Sequence, residues 1–314
     1  MSNKEQFLLT EKYRPKTVDE CILPDRLKIP FKQYVAEKEI PTLLLTGTPG
    51  VGKTTIAKAM CEEIGCSYIL INSSDERGID TLRTKVKTYA STSSLSGKRK
   101  VVIMDEADYL TPDAQAAMRG IIEEFSSNCT FIFTCNLKSK IMDAIESRSI
   151  VVDFKLKAGE KTEMATQFFK RILYILRQEK IDFVPEAIAE IVKANFPDYR
   201  KTLNVIQHLS KFGKIDAGAL VHLNSLNDVK DLFLYLKEKS FTKMRKWVVQ
   251  NSDVDSSSMY RKIYEGLEKY VKEITIPLGI IILAKYQYQA AFCADQELNT
   301  MACLTELMME LEFA

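Results

Sequence analysis

Histidine is scarce in this chain, with only His208 and His222 among 314 residues. That scarcity argues against histidine-based metal centres and catalytic triads. Seven cysteines are present (Cys21, Cys61, Cys66, Cys129, Cys135, Cys293 and Cys303), and none stands in a paired CxxC spacing. They read as reduced, largely buried thiols rather than as a disulfide framework or a zinc site. No apolar run reaches the roughly 20 residues that a membrane-spanning helix needs. The opening MSNKEQFLLTEKYRPK is too polar for a signal peptide, so the expectation is a cytoplasmic chain without membrane contact. A formal net charge of +2 carries no global nucleic-acid signature, so any DNA surface has to be local. Low-complexity tracts and short-period repeats are missing too.

What remains is an ordinary globular composition, 46% apolar and 27% charged, in a chain long enough for two or three domains. The first half alternates β-rich apolar runs with helical patterns. TLLLT (42–46), SYILIN (67–72), KVVIMD (100–105), CTFIFTC (129–135) and SIVVDF (149–154) read as buried strands. Their continuous apolar character suits a parallel sheet covered on both faces. Helical stretches are expected at about 53–64, 79–90 and 113–125, the last with Pro112 in its first turn. This βα alternation predicts a doubly wound α/β domain over 1–155. Beyond it the strand signal fades. Met164, Phe168, Ile172, Ile175 and Leu176 recur at helical spacing, and further helices are expected at about 185–194, 199–211 and 216–223. We expect an all-α domain over 156–224 and a second one over 225–314. In the latter, IPLGIIILAKYQYQAAFC is apolar nearly all round, which fits either a buried core helix or a subunit interface.

Three segments carry chemistry. GTPGVGKT (47–54) matches G-x-x-x-x-G-K-[ST] between a predicted strand and a predicted helix, the context that the motif requires. Gly47, Gly50 and Gly52 let the backbone wrap closely, with Thr48, Pro49 and Val51 between them, so that loop N–H groups face phosphates. Lys53 is placed to reach the β- and γ-phosphates of ATP, and the Thr54 hydroxyl, followed by Thr55, to coordinate Mg²⁺. VVIMDEAD (101–108) delivers Asp105 and Glu106 at the end of a strand: Asp105 to support Mg²⁺, Glu106 to polarise the attacking water. Asn136 closes the strand FIFTC and is suited to hydrogen-bond that water or the γ-phosphate. Arg148, in ESRS, is harder to place. A nucleotide site can use an arginine from a neighbouring subunit, but spacing alone fits a surface or salt-bridge arginine better.

Together these residues resemble the AAA+ ATPases and, more narrowly, the sliding-clamp loaders. YRP (13–15), SSDERGID (73–80), DEAD with DAQAAMRGIIEE (113–124), SRS (147–149) and FPDYRKTLN (196–204) match in order and spacing over about residues 10–210. DECILP, SSNC and NFPDYRKT are similar to the large, ATPase subunit of T-even-type phage loaders, with replication factor C small subunits as the next group. The resemblance implies a lid after the ATPase domain and a collar that holds a five-membered ring of further copies and a different loader subunit. The implied function is ATP-dependent opening of a sliding clamp and its loading onto primer–template DNA.

Residue by residue, the resemblance implies that Tyr13, Arg14 and Pro15 pack against adenine. Arg148 is an arginine finger acting in trans, although Ser149 stands where the family has cysteine. Arg200 reaches the phosphates of its own subunit's ATP. Arg77 holds Glu106 away from water until DNA arrives, and Gln115 and Arg119 couple neighbouring sites. Arg83 and Lys87 face duplex DNA, and Tyr89 and Leu95 lie in the region that docks on the clamp. Two rival readings share these motifs. A branch-migration or recombination motor usually adds a DNA-binding module. A scaffold subunit loses the ATPase residues, whereas Lys53, Thr54, Asp105 and Glu106 are all present here.

Overall fold

A computed structural model describes residues 8–75, 79–92, 99–211, 213–216, 229–251 and 256–313. Arg77, Leu95 and nearly all of the helix expected near 216–223 lie outside these residues. The chain forms two compact units, residues 1–219 and 220–314.

The first unit is built on five parallel strands: β1 (Leu43–Thr46), β2 (Tyr68–Asn72), β3 (Lys100–Asp105), β4 (Cys129–Cys135) and β5 (Ile150–Asp153). Their order in the sheet is β2-β3-β4-β1-β5. Every observed strand lies within one residue of its expected limits. Register follows from the two-residue side-chain period. Leu43, Leu45, Val101, Ile103 and Ile132 join one buried cluster, with Ile56 and Met60 of α3 (Lys53–Ile64). Leu44, Val102, Met104, Phe131 and Phe133 join the other, with Val86 of α4 (Ile79–Ser91) and Met118 of α5 (Pro112–Phe125). Burial on both faces explains why the strands read as continuous apolar runs.

Two short helices, α1 (Leu9–Lys12) and α6 (Asp143–Glu146), and the longer α2 (Asp25–Glu37) complete this layer. In α2, Leu27 and Phe31 face the first cluster. Pro30 sits inside α2, where proline normally breaks a helical pattern, and the sequence reading passed over this helix.

Three helices follow in the same unit: α7 (Glu160–Gln178), α8 (Pro185–Asn195) and α9 (Tyr199–Ser210). The five apolar residues expected on one face of α7 are its buried ones. Asp198 caps α9 by accepting from Lys201 N–H at 2.8 Å, which fixes where that helix begins.

The described residues of the second unit form five α-helices, α10 (Val229–Lys237), α11 (Phe241–Gln250), α12 (Ser256–Tyr270), α13 (Ile276–Ala290) and α14 (Gln296–Glu310), with an isolated bridge between Val271 and Phe313. Its core gathers Leu232, Phe233, Met244, Ile263, Leu267, Ile282, Leu304 and Leu307. The all-round apolar helix is α13, and it divides. Gly279, Ile282 and Leu283 are buried, while Ile281 is 65% exposed.

Candidate functional site

At the C-terminal ends of β1, β3 and β4, where ligands collect in sheets of this kind, side chains converge on a cavity of about 380 Å³. The loop after β1 turns through left-handed glycines at 50 (φ +77°) and 52 (φ +94°) and delivers Lys53 as the first residue of α3. At Gly50 the glycine is obligatory twice over. Its φ disfavours side chains, and a Cβ there would lie 1.9 Å from Asp198 Oδ1. The Gly50 carbonyl accepts from Tyr199 N–H at 3.1 Å, so the start of α9 is seated on the phosphate loop. The first-turn amides of α3 lack intrahelical partners, and with the helix dipole they suit an anion.

Lys53 is buried beneath this loop. Its Nζ donates to the carbonyls of Gly47 (2.6 Å) and Thr48 (2.9 Å) and to Asn136 Oδ1 (2.9 Å). Burial pulls its pKa below the ordinary lysine value and nearby Arg200 adds to that, while Cys135, Asp105 and Asp108 act in the opposite direction. All three donors of this ammonium are taken by neutral oxygens, and a bound polyphosphate would supply the counter-charge that they do not.

Beside it, Thr54 Oγ1 donates to Asp105 Oδ1 at 2.6 Å, and Thr134 Oγ1 reaches the same oxygen at 2.6 Å. Thr134 then accepts from Glu106 N–H at 3.1 Å, so one hydroxyl ties the two carboxylate residues together. Glu106 itself holds a left-handed backbone (φ 55°), which is uncommon outside glycine, and its side chain faces the cavity. Asp108 receives the N–H groups of Asn136 (3.3 Å) and Leu137 (3.1 Å) on Oδ2 and thereby fixes the loop that carries Asn136.

The cavity brings together most of the expected nucleotide residues: Tyr13, Arg14, Pro15, Pro49, Gly50, Val51, Gly52, Thr54 and Thr55 line it with Lys53. Asp105, Glu106, Asn136 and Arg200 complete the phosphate end. Phe168, Ile175 and Leu203 add apolar lining to the same cavity as Tyr13. Sequence reasoning missed those three, and it missed the tie that holds Tyr13. The Tyr13 hydroxyl donates to Glu179, which also pairs with Lys12 at 2.7 Å. Burial and that carboxylate push the Tyr13 pKa up to about 12. Lys12 and Tyr13 hold Glu179 below the usual glutamate value.

Arg148 is not among the residues lining this cavity. Its Nε donates to Glu123 Oε1 at 2.9 Å and its Nη1 to the Ala144 carbonyl at 2.9 Å. Gln115 is buried on α5. Its amide donates to the carbonyls of Leu110 (3.3 Å) and Lys140 (3.0 Å) and accepts from Met142 N–H at 2.8 Å. Arg119 projects from α5 with 60% of its side chain exposed. On α4, Arg83 is exposed. Lys87 pairs with Glu124 of α5 at 2.9 Å. The Tyr89 ring packs against the core and under Lys100 Nζ (4.7 Å), and its hydroxyl donates to Ser67 Oγ at 2.9 Å.

Comparison with known proteins places this geometry. Residues 43–156 match the model of the AAA family, ATPases associated with various cellular activities. Residues 160–221 match the AAA+ ATPase lid domain of the sliding-clamp-loader large subunit. The chain is 32% identical over 99% of its length to the sliding-clamp-loader large subunit of Enterobacteria phage T4, covering 98% of that protein. It is 34% identical over 98% of its length to the replication factor C small subunit of Sulfolobus acidocaldarius, again covering 98% of it. Among solved structures, the RuvB Holliday junction branch migration motor of Thermotoga maritima superposes with a TM-score of 0.58. That likeness spans 84% of this chain and 80% of the other at 16% identity, and so speaks for the fold alone. With its P-loop, its paired carboxylates and a matching lid, the chain belongs to the AAA+ ATPase subunits of sliding-clamp loaders.

Proposed function

We propose that this clamp-loader subunit hydrolyses ATP in a site that one copy of the chain builds and a neighbouring copy completes. ATP lies with its base between the Tyr13–Pro15 segment and the apolar side chains of α7 and α9. Its phosphates lie on the loop 47–52 and the start of α3. Lys53 exchanges its loop carbonyls for phosphate oxygens. Glu106 polarises the attacking water, Asn136 orients it, and Arg200 bears on the phosphates from the lid. The observation that carries this reading is the convergence of Lys53, Thr54, Asp105, Glu106 and Asn136 on one cavity, with Arg148 outside it.

The donor set fits Mg²⁺. Thr54 Oγ1 and Asp105 Oδ1, 2.6 Å apart, are hard oxygen donors beside the phosphate loop. Mg²⁺ characteristically takes one or two protein oxygens and completes its shell with phosphates and water. Thr54 and Asp105 would hold it, and when bound it would neutralise charge on the β- and γ-phosphates.

The position of Arg148 outside its own subunit's cavity is compatible with action in trans. Arg148 would meet the γ-phosphate bound by the next copy, where a finger of this kind contributes roughly 10³–10⁵ in rate. Arg77 would hold Glu106 away from water and release that carboxylate when a phosphate backbone competes for it. Gln115 and Arg119, on α5, would couple adjacent sites. Arg83 and Lys87 would track duplex phosphates. Tyr89 and Leu95 belong to the segment that would dock on the clamp. The whole would be a five-membered ring of these chains with one different subunit, acting in the cytoplasm. It would open the clamp in the ATP state and leave it on primer–template DNA after hydrolysis. The three domains read from the sequence (1–155, 156–224 and 225–314) would then serve as motor, lid and collar. A branch-migration motor shares only the fold, because the RuvB likeness stops at 16% identity.

The test is steady-state ATP turnover of the chain assembled with its partner subunit, with primed DNA and clamp added separately and together. Strong stimulation only with both, lost in Lys53→Ala, is expected. Turnover indifferent to the clamp would move the assignment to a remodelling motor.

A further inference from the structure

Arg148 is held by its own subunit in a particular way, and nothing in the nucleotide chemistry requires the residue that holds it. The Nε and Nη2 atoms of its guanidinium, which form one edge, both donate to a single oxygen, Glu123 Oε1. Nη1 donates backwards to the Ala144 carbonyl at 2.9 Å and to Ser147 Oγ at 3.3 Å. A guanidinium carries five N–H donors, so this arrangement leaves a donor on Nη2 at the tip of the side chain. The side chain is 26% exposed, which suits a group fixed along its length and open at its end.

Glu123 belongs to a stripe on α5. Gln115, Arg119 and Glu123 follow one another at intervals of four, which puts them on one helical face. Gln115 binds the Lys140 carbonyl and the Met142 amide, where the segment leading to Arg148 begins. Glu123 binds the arginine at the other end of that segment. The same α5 therefore anchors both ends of residues 140–148. Arg119 lies 3.9 Å from Glu123, at the limit of an ion pair, so Arg148 is the carboxylate's principal partner. Arg148, the first and largest influence, also holds the Glu123 pKa below the ordinary glutamate value.

We propose that Glu123 is a positioning residue for hydrolysis in the neighbouring subunit: it fixes the rotamer of Arg148 so that the tip of the guanidinium is presented outward, ready for a phosphate oxygen. This inference rests on the in-trans reading of Arg148. An arginine side chain has many accessible rotamers, and a free one would have to be ordered each time it met the phosphate. A carboxylate that grips the Nε–Nη2 edge leaves the remaining Nη2 donor for a second anion, and the planar fork of the guanidinium is what allows arginine to serve both. Glu123 does not line the nucleotide cavity of its own subunit. Its effect is therefore confined to turnover in the next subunit and does not reach nucleotide affinity in its own.

Mixed assemblies separate the possibilities. Glu106→Gln chains keep their arginine and lack the water-polarising carboxylate. Arg148→Ala chains keep an intact pocket and lack the finger. Assembled together with the partner subunit, clamp and primed DNA, they are expected to restore turnover that neither shows alone. Adding Glu123→Ala to the Glu106→Gln chain is expected to lower that restored kcat by roughly tenfold, within the range that misplaced catalytic groups cost. KM for ATP is expected to stay unchanged. Adding Glu123→Gln instead, which keeps an oxygen acceptor at the same reach, is expected to recover most of the rate. A nucleotide-binding measurement on Glu123→Ala alone should match the unmodified chain and so exclude a folding defect. Undiminished turnover with Glu123→Ala in the finger-donating chain would overturn the proposal. Failure of the parent mixture to restore turnover would instead remove the in-trans reading, and this inference with it.

Discussion

Two corners of the first unit are built on opposite terms. In the nucleotide corner every strong group turns inward. Lys53 is satisfied by Gly47, Thr48 and Asn136, and Asp105 by Thr54 and Thr134. In the Arg148 corner the arginine is held at the surface by Glu123, whose side chain is 56% exposed. Exposed pairs of this sort contribute little to stability, whereas a buried polar network is costly when one member is removed. The first corner is thus a binding site already shaped for its ligand. On the proposed reading, the second is one half of a site that a neighbouring copy completes. Damage to the first should therefore appear within one subunit, and damage to the second only in the assembly.

Thr134 makes that contrast measurable, since its hydroxyl links Asp105 to the amide of Glu106. Thr134→Val keeps the shape, leaves that amide unpaired and frees Glu106. We expect kcat to fall by roughly ten- to a hundredfold, as for a catalytic group moved by about 1 Å. KM should change little, and steady-state kinetics with clamp and primed DNA would show it. An unaltered kcat would mean that Glu106 is placed by other contacts.

A smaller effect is expected at the base end of the cavity. Glu179 has its pKa lowered by Lys12 first and then by Tyr13, so its contribution is present above the unfolded glutamate pKa. That contribution is lost only as pH falls through the lowered value. The Tyr13 hydroxyl, raised to about 12, stays protonated and able to donate throughout the neutral range. The share of ATP affinity that this tie supplies should accordingly be constant through the neutral range, with an acid limb only below the usual carboxylate range of roughly 4. Glu179→Gln should remove that acid limb. Titration of nucleotide affinity against pH checks both, and an acid limb that survived in Glu179→Gln would assign it to another group.

How much of this was legible in the sequence follows the same division. The strands announced themselves because burial on both faces of a parallel sheet leaves no polar positions, and their limits were read to within a residue. The P-loop and the paired carboxylates were legible because their chemistry fixes residue type and spacing locally. Helix α2 was not, since Pro30 interrupts the pattern that Leu27 and Phe31 would otherwise give. Thr134, Asp108 and Glu179 were also missed. Their importance lies in contacts to residues far along the chain, such as Glu179 with Tyr13, 166 positions away, and no local pattern encodes those. Helix α13 was ambiguous between core and interface for a physical reason. One face is buried in the second unit and the other carries exposed Leu278, Ile280 and Ile281. Arg148 could be placed only through the family resemblance. From spacing, a surface arginine and a finger look alike, and the hydrogen bonds from Arg148 to Glu123 are a contact that spacing does not announce.

If Arg148 acts on a nucleotide bound by another copy of the chain, Arg148→Ala should separate binding from turnover. Its ATP affinity and its DNA- and clamp-stimulated turnover should be measured side by side in the assembly with the partner subunit, and its affinity in the isolated chain as well. Near-normal nucleotide affinity in the isolated chain is expected, with a loss of roughly 10³-fold or more in assembled turnover. Lost affinity in the isolated chain, or turnover that survives assembly unchanged, would contradict action in trans.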